Sequence, residues 1–138
     1  MQICVGRWKM KAEITIPGRP ITKKNHQQIR KNWRTGGRFI AQSEAYQNYE
    51  TECLWHLKSY RGPKFTGPIR LTCLYWMPDR RSWPDLPGLY QATADILEKA
   101  RIIDNDRNII SMDGSQIVGI DRERPRVEIE IEEVEECK

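Results

Sequence analysis

Apolar residues occupy every second position in Ala12-Glu13-Ile14-Thr15-Ile16, and the alternation stops at Pro17-Gly18. That is the pattern of a half-buried strand closed by a turn. From Lys23-Lys24-Asn25 to Gly36-Gly37 the chain is polar, basic and punctuated by glycine. A loop or mobile basic arm is expected around residues 20–38, leading into a short strand at 38–41. Ser43 is a good helix N-cap, and Glu44 suits the positive end of the helix dipole. Tyr46, Tyr49, Cys53, Leu57 and Tyr60 then recur at helical spacing, which predicts an amphipathic helix over 44–60. Its aromatic stripe reads first as core rather than as a base-stacking platform. After the loop signals Gly62-Pro63 and Gly67-Pro68, residues 69–77 form the best strand in the chain, with Ile69, Leu71, Cys73 and Tyr75 on one side. Asp85 is placed to cap a second helix that tolerates Pro87 in its first turn and buries Leu86, Leu89, Thr93, Ile96, Leu97 and Ala100. Residues 121–126 read as a charged turn. In the last strand Val127, Ile129 and Ile131 alternate with Glu128, Glu130 and Glu132.

The order strand, arm, helix, strand, helix, strand, strand describes a small α/β (α+β) fold with a mixed sheet and two main helices. A chain of 138 residues is expected to form one domain over 1–138, and its 38% hydrophobic content supports a single small core. A core of that size favours help from a partner subunit. No apolar run reaches the length of a membrane span, and residues 1–10 lack a signal-peptide core. A soluble, cytoplasmic protein with no membrane partner is therefore expected. Cys4, Cys53, Cys73 and Cys137 are scattered, with only His26 and His56 to supplement them, so incidental or buried thiols are expected rather than a zinc site.

Charge changes the picture more than composition does. The net charge is +4, but in residues 1–40 ten Lys or Arg face a single acid, Glu13, whereas residues 121–138 carry four bases against eight acids. A basic front end suits a polyanion, since each cation set on a phosphate releases counterions; a merely solubilising surface is the competing explanation. Two histidines and no Gly-x-Ser-x-Gly turn leave little basis for a Ser-His or Cys-His hydrolase, and no Gly-rich phosphate loop is present. Carboxylates remain. Asp85 opens the second helix, and Asp104 and Asp106 follow its end; if the chain returns beside the helix, the two acidic groups are expected to meet. Two or three aspartates suffice for Mg²⁺, or Mn²⁺ in its place, and such an ion can activate water against a phosphodiester. The ordinary alternative is an N-cap at Asp85 and a solvated turn at Asp104-Asn105-Asp106.

The run Met77-Pro78-Asp79-Arg80-Arg81, followed by Asp85-Leu86, Leu89, Asp95-Ile96-Leu97, Lys99-Ala100 and Asp106, resembles the central motif of the RusA-type Holliday junction resolvases. Pro17-Gly18-Arg19-Pro20 with Lys23-Lys24-Asn25 is similar to that family's basic N-terminal stretch, and Pro125-Arg126-Val127-Glu128-Ile129 to its closing strand. The order and spacing of these pieces from Ile14 to Ile131 carry the resemblance. It implies a small homodimeric, Mg²⁺-dependent endodeoxyribonuclease, of a kind often encoded by prophages, that acts on four-way and related branched DNA in recombination and repair.

Carried over by position, the resemblance implies catalytic and metal-binding roles for Asp85 and Asp106. The family's usual Asp-Leu-Asp-Asn-Leu is here Asp85-Leu86-Pro87-Gly88-Leu89, so Pro87 stands where a second catalytic aspartate is expected. Gln91 stands where the family often has a lysine. Neither replacement can do the original work: the proline side chain has no ligand oxygen and glutamine has no charge. Three outcomes stay open. Another acid rebuilds the site, with Asp95 entered as the third catalytic residue and Asp104 and Asp113 competing with it; or two ligands hold one metal; or catalysis is lost and branched-DNA binding kept. Asp95 sits ten residues after Asp85 on the same helix, about 80° round its axis. Lys23, Lys24, Asn25, Arg30, Lys31, Arg34, Arg80 and Arg81 are the expected DNA contacts, with Arg80 and Arg81 nearest the acids. Trp33 or Phe39 would be candidate wedges at a branch point. A protein-interaction domain whose arm meets an acidic partner is the reading from a different class.

Overall fold

The computed structural model describes residues 10–23, 27–31, 38–42, 44–81 and 83–134, with 27–31 and 38–42 as backbone. Its elements in chain order are β1 (Lys11–Pro17), β2 (Gln27–Lys31), β3 (Arg38–Gln42), α1 (Glu44–Leu57), β4 (Ile69–Met77), α2 (Leu86–Lys99), a 3₁₀ turn (Asp106–Asn108), β5 (Ile109–Ser111), β6 (Gln116–Ile120) and β7 (Arg126–Glu133). The five strands β1, β7, β4, β5 and β6 form one mixed sheet, which is the α+β arrangement the sequence implied.

β4 organises this sheet because it is apolar on the face that both helices cover. β7 runs antiparallel along one side of it from Ile69↔Glu133 to Trp76↔Arg126, and β1 extends the sheet beyond β7. On the other side β5 pairs in parallel with the start of β4 (Ile69↔Ile109), and β6 pairs in parallel with its end (Leu74↔Gln116 to Met77↔Ile120). β5 and β6 thus lie end to end as one interrupted edge strand. The turn between them places Gly114 at φ 86°, a left-handed conformation that glycine adopts without a Cβ penalty.

One face of the sheet carries the core. Ile14, Ile16, Ile69, Leu71, Cys73, Tyr75, Met77, Val127, Ile129 and Ile131 meet Cys53 and Leu57 of α1 and Leu89, Ile96 and Leu97 of α2 in a single buried cluster. Side-chain alternation sends Glu13, Thr15, Thr72, Glu128 and Glu130 to the opposite, open face. The aromatic stripe of α1 does face the core, where Tyr46 is fully buried. Burial raises the Cys53 thiol to about 11 and the Cys73 thiol to about 12, so both stay protonated near neutrality.

Two sequence expectations change. The segment expected as a loop or arm contains β2, which pairs antiparallel with β3 from Gln27↔Gln42 to Lys31↔Arg38. Its polar composition hid the strand, because Gln27-Gln28-Ile29-Arg30-Lys31 lacks the apolar alternation by which a strand is read from sequence. The helix expected to reach residue 60 stops at Leu57, and Lys58, Ser59 and Tyr60 close three-residue turns onto Trp55, His56 and Leu57. The Ser43 cap lies outside the described residues, as do Cys4 and Cys137.

Inside the core one polar pair is fully satisfied. Thr93 Oγ1 donates to the Leu89 carbonyl at 3.0 Å, so the Tyr75 hydroxyl is the donor in its 2.7 Å bond to Thr93 Oγ1. Thr93→Val is expected to cost about 1–3 kcal/mol, because it leaves that hydroxyl buried and unpaired. Tyr75→Phe added to Thr93→Val should cost less than the two single changes summed, as measured by urea denaturation of all four proteins.

Candidate active site and nucleic-acid interface

The loop from the end of β4 to α2 builds an arginine-rich end of the sheet. Asp79 Oδ1 accepts the Arg81 backbone N–H at 2.8 Å, an aspartate turn that sets the direction of the loop. Arg19, arriving from β1, donates Nη2 to the Arg81 carbonyl at 3.0 Å and lies 4.0 Å from the Asp79 carboxylate. Trp83 Nε1 donates to the Asp79 carbonyl, and the Arg80 guanidinium stacks 5.6 Å from the Trp83 ring centroid. Arg80 and Arg81 remain exposed to solvent.

The turn 121–125 closes over the same end. Asp121 N donates to the Met77 carbonyl at 2.8 Å, and Gly18 N donates to the Pro125 carbonyl at 2.9 Å. Asp121 accepts the backbone N–H groups of Arg124 and Glu123 and pairs with Arg126 at 2.9 Å. The Arg124 N–H and the Arg126 guanidinium hold its carboxyl below the usual range. Arg126 in turn bonds Glu128 and stacks 4.7 Å from the Trp76 ring. Arg122 and Arg124 are exposed beside these groups. Sequence reasoning missed Arg19, Arg122 and Arg124 as members of this basic end. They come from two turns distant in sequence, and no local spacing marks them.

Asp85 follows the β4–α2 loop, exposed, at the N-cap of α2. The backbone takes the cap position (φ −70°, ψ 145°) and its carbonyl accepts Leu89 N–H at 3.2 Å, yet the carboxylate makes no capping hydrogen bond. Pro87, second in the helix, has no N–H to offer, and the lost donor is one that a helix leaves unpaired in any case. The carboxylate is therefore available at the positive end of the α2 dipole. It occupies the space above Gly88: a Cβ there would stand 2.8 Å from Asp85 Oδ1 and 3.3 Å from Thr22 Cγ2. Gly88 thus makes room for the acid.

The other candidate acids are elsewhere. Asp106 follows α2, and its N–H donates to Glu98 Oε1 at 3.0 Å. Glu98 comes thirteen residues after Asp85, about 20 Å along the helix at 1.5 Å per residue. Asp104 lies near the same far end, 3.8 Å from Lys64, and Asp113 sits in the β5–β6 turn, where its carbonyl accepts Thr72 Oγ1. Asp95 is partly buried on α2 and receives the Lys23 ammonium at 2.7 Å, while Lys23 also lies 5.8 Å from the Tyr46 ring centroid. The expected meeting of Asp85 with Asp106 does not take place within one chain, and Asp95 joins neither. Among the described residues, no group of three or more His, Cys, Asp or Glu side chains is close enough to hold a metal ion. Lys24, Asn25, Trp33 and Arg34 lie outside the described residues, and Arg30, Lys31 and Phe39 are placed only as backbone in β2 and β3.

Comparison with protein families matches the chain to the family model described as endodeoxyribonuclease RusA, over residues 17–132. No curated protein matches the chain. The matched span begins at the end of β1 and closes within β7, so it takes in α2, Asp85, Asp106 and the whole basic end.

The Lys23–Asp95 pair ties the segment after β1 to α2 and is less than one third exposed at both side chains. Asp95→Asn is expected to destabilise the fold by about 1–2 kcal/mol, in the range of a charge-assisted hydrogen bond. A double-mutant cycle with Lys23→Met, read by urea denaturation, should return a coupling of similar size.

Proposed function

The chain belongs to the RusA endodeoxyribonuclease family, and from that premise we propose that it is a divalent-metal-dependent, homodimeric endonuclease that cleaves four-way and related branched DNA during recombination and repair. The observation that carries this reading is the position of Asp85: an exposed carboxylate with no capping hydrogen bond, opening α2 after the loop from the central strand β4 that carries Arg80 and Arg81. The C-terminal ends of strands are where open α/β sheets place their ligand sites. The arginines supply phosphate contacts, and Asp85 supplies the acidic group next to the bond to be cut.

Family nucleases of this kind are generally metal dependent. The residues within one chain do not fit that requirement. Mg²⁺ holds its oxygen ligands at about 2.1 Å, so two carboxylates that share one ion bring their oxygens within roughly 4 Å of each other. Asp85 and Asp106 are separated by nearly the length of α2. Asp95 is held by Lys23, and Pro87 and Gln91 are exposed on α2 with no acid or base to contribute. These facts favour, as the second reading, a protein that binds branched DNA and cuts it poorly or not at all.

Cleavage separates the two readings. Incubated with a synthetic four-way junction and Mg²⁺ or Mn²⁺, the protein should cut, and Asp85→Asn should abolish cutting while leaving binding intact, since the Asp85 side chain makes no capping hydrogen bond on which the helix depends. Binding without cutting under both metals, at saturating protein, would select the second reading. Affinity should fall steeply with salt in either case, and Arg80→Ala with Arg81→Ala should flatten that dependence by about two counterions. Gly88→Ala provides a separate check on the Asp85 carboxylate. Its new methyl group displaces Asp85 Oδ1 from a position 2.8 Å away. It should change the melting temperature little, because the roughly 1 kcal/mol helix preference of Ala over Gly is set against the 3.3 Å approach to buried Thr22, and still lower cleavage at least tenfold.

A further inference from the structure

The end of α1 presents an aromatic ring among cations. Cys53 and Leu57 of this helix enter the core, and Trp55 lies between them in sequence, about 200° round the axis from each. It therefore points away from the core. At 72% exposure it is the most exposed large hydrophobic among the described residues. Nothing apolar surrounds it: a shallow, open hollow is lined by Trp55 together with His56, Lys58, Ser59 and Arg61.

These neighbours are held in place by the turns that end the helix. The Lys58 ammonium stands 4.9 Å from the Trp55 ring centroid. Arg61 Nη1 donates to the carbonyls of Lys58 at 3.1 Å and Tyr60 at 3.2 Å, which anchors the guanidinium beside the helix end. Cations at the last carbonyls of a helix are ordinary. An indole left in water beside them is not accounted for by capping. From Cys53 to Lys64 the chain holds no acid, and among the described residues neither Lys58 nor Arg61 is ion-paired.

The patch flanks the basic end of the sheet. His56, Leu57, Ser59 and Tyr60 border a second hollow with Glu13, Ile14 and Thr15 of β1. Ile14 is three residues before Pro17, roughly 10 Å along the strand at 3.3 Å per residue. Beyond Pro17 lies Arg19, which bonds the Arg81 carbonyl. Glu13 is the acid that borders this hollow, and its side chain alternates to the sheet face opposite α1.

We propose that the end of α1 is a second nucleic-acid contact, which takes a single-stranded segment of the DNA substrate. An unpaired base stacks on Trp55, and the phosphates beside it meet Lys58 and Arg61. Paired bases hide their faces within a duplex, so an exposed indole selects unpaired ones; every base has such a face, so the contact is tolerant of sequence. Cations around the ring suit a polyanion and would be left without partners against an apolar protein surface. The inference rests on the DNA reading above but not on cleavage.

Fluorescence anisotropy with a labelled oligothymidylate and a blunt-ended duplex of equal length tests this. Trp55→Ala should weaken binding of the oligothymidylate about tenfold more than binding of the duplex, within the range of one base stacked on an aromatic ring. Trp55→Phe should recover most of that loss. Lys58→Gln with Arg61→Gln should lower the salt slope on the oligothymidylate by about 1.4, at roughly 0.7 for each phosphate, whereas Trp55→Ala should leave the slope as it is. If Trp55→Ala fails to fold, the Lys58 and Arg61 variant carries the test. Equal losses on the two ligands, or no loss on either, would overturn the proposal and leave Trp55 to a protein partner. A wild-type protein that binds neither ligand at low salt would instead sink the DNA reading on which it rests.

Discussion

Two parallel strands cannot be joined by a tight turn. The chain leaving the end of β4 must travel the length of the sheet before it can re-enter beside the start of β4 as β5, and α2 is that return path. Much of the molecule follows from this one connection. It buries Leu89, Ile96 and Leu97 against the apolar face of β4, where Tyr75 and Thr93 exchange their hydrogen bond. It also separates the two acids at its ends. A crossover helix carries a residue at its start and a residue after its end to opposite sides of the sheet, whatever their chemistry.

The end of the sheet reached first holds the basic charge. Arg19, Arg80, Arg81, Arg122 and Arg124 come from three turns that close over the ends of β1, β4 and β6, and Arg126 opens β7 beside them. Asp79 and Asp121 shape those turns by accepting backbone N–H groups and by pairing with arginine, so their carboxylates are already engaged. Asp85 differs because Pro87 removes one capping donor and Gly88 leaves room for the side chain. An acid left without a capping bond at a helix N-terminus, after a loop that carries two arginines, is a sensible place to receive a phosphate and a cation together.

The edges of the sheet carry the other asymmetry. Charge and proline at β1 keep the sheet from growing in one direction, while the uncharged β5–β6 edge leaves the other direction open. A core this small, in a chain of 138 residues, gains from additional burial.

Local pattern determined the elements wherever a buried face imposed a period. β1, β4, β7 and α2 follow from the spacing of Ile14 and Ile16, of Ile69 to Tyr75, of Val127 to Ile131 and of Leu89 to Leu97, because each buries one face. β2 escaped notice because its sequence is polar and basic without apolar alternation, and residues 58–60 turned away from α1 through hydrogen bonds that spacing does not encode. The family, too, was legible from Asp85, Asp106 and the motif around them, since order and spacing are properties of sequence. The relation of those two acids in space was not. Sequence places them on either side of a helix, but which way that helix runs across the sheet is decided by whether β5 pairs parallel or antiparallel with β4. That choice is made by long-range backbone pairing, and it alone sets Asp85 and Asp106 a helix length apart.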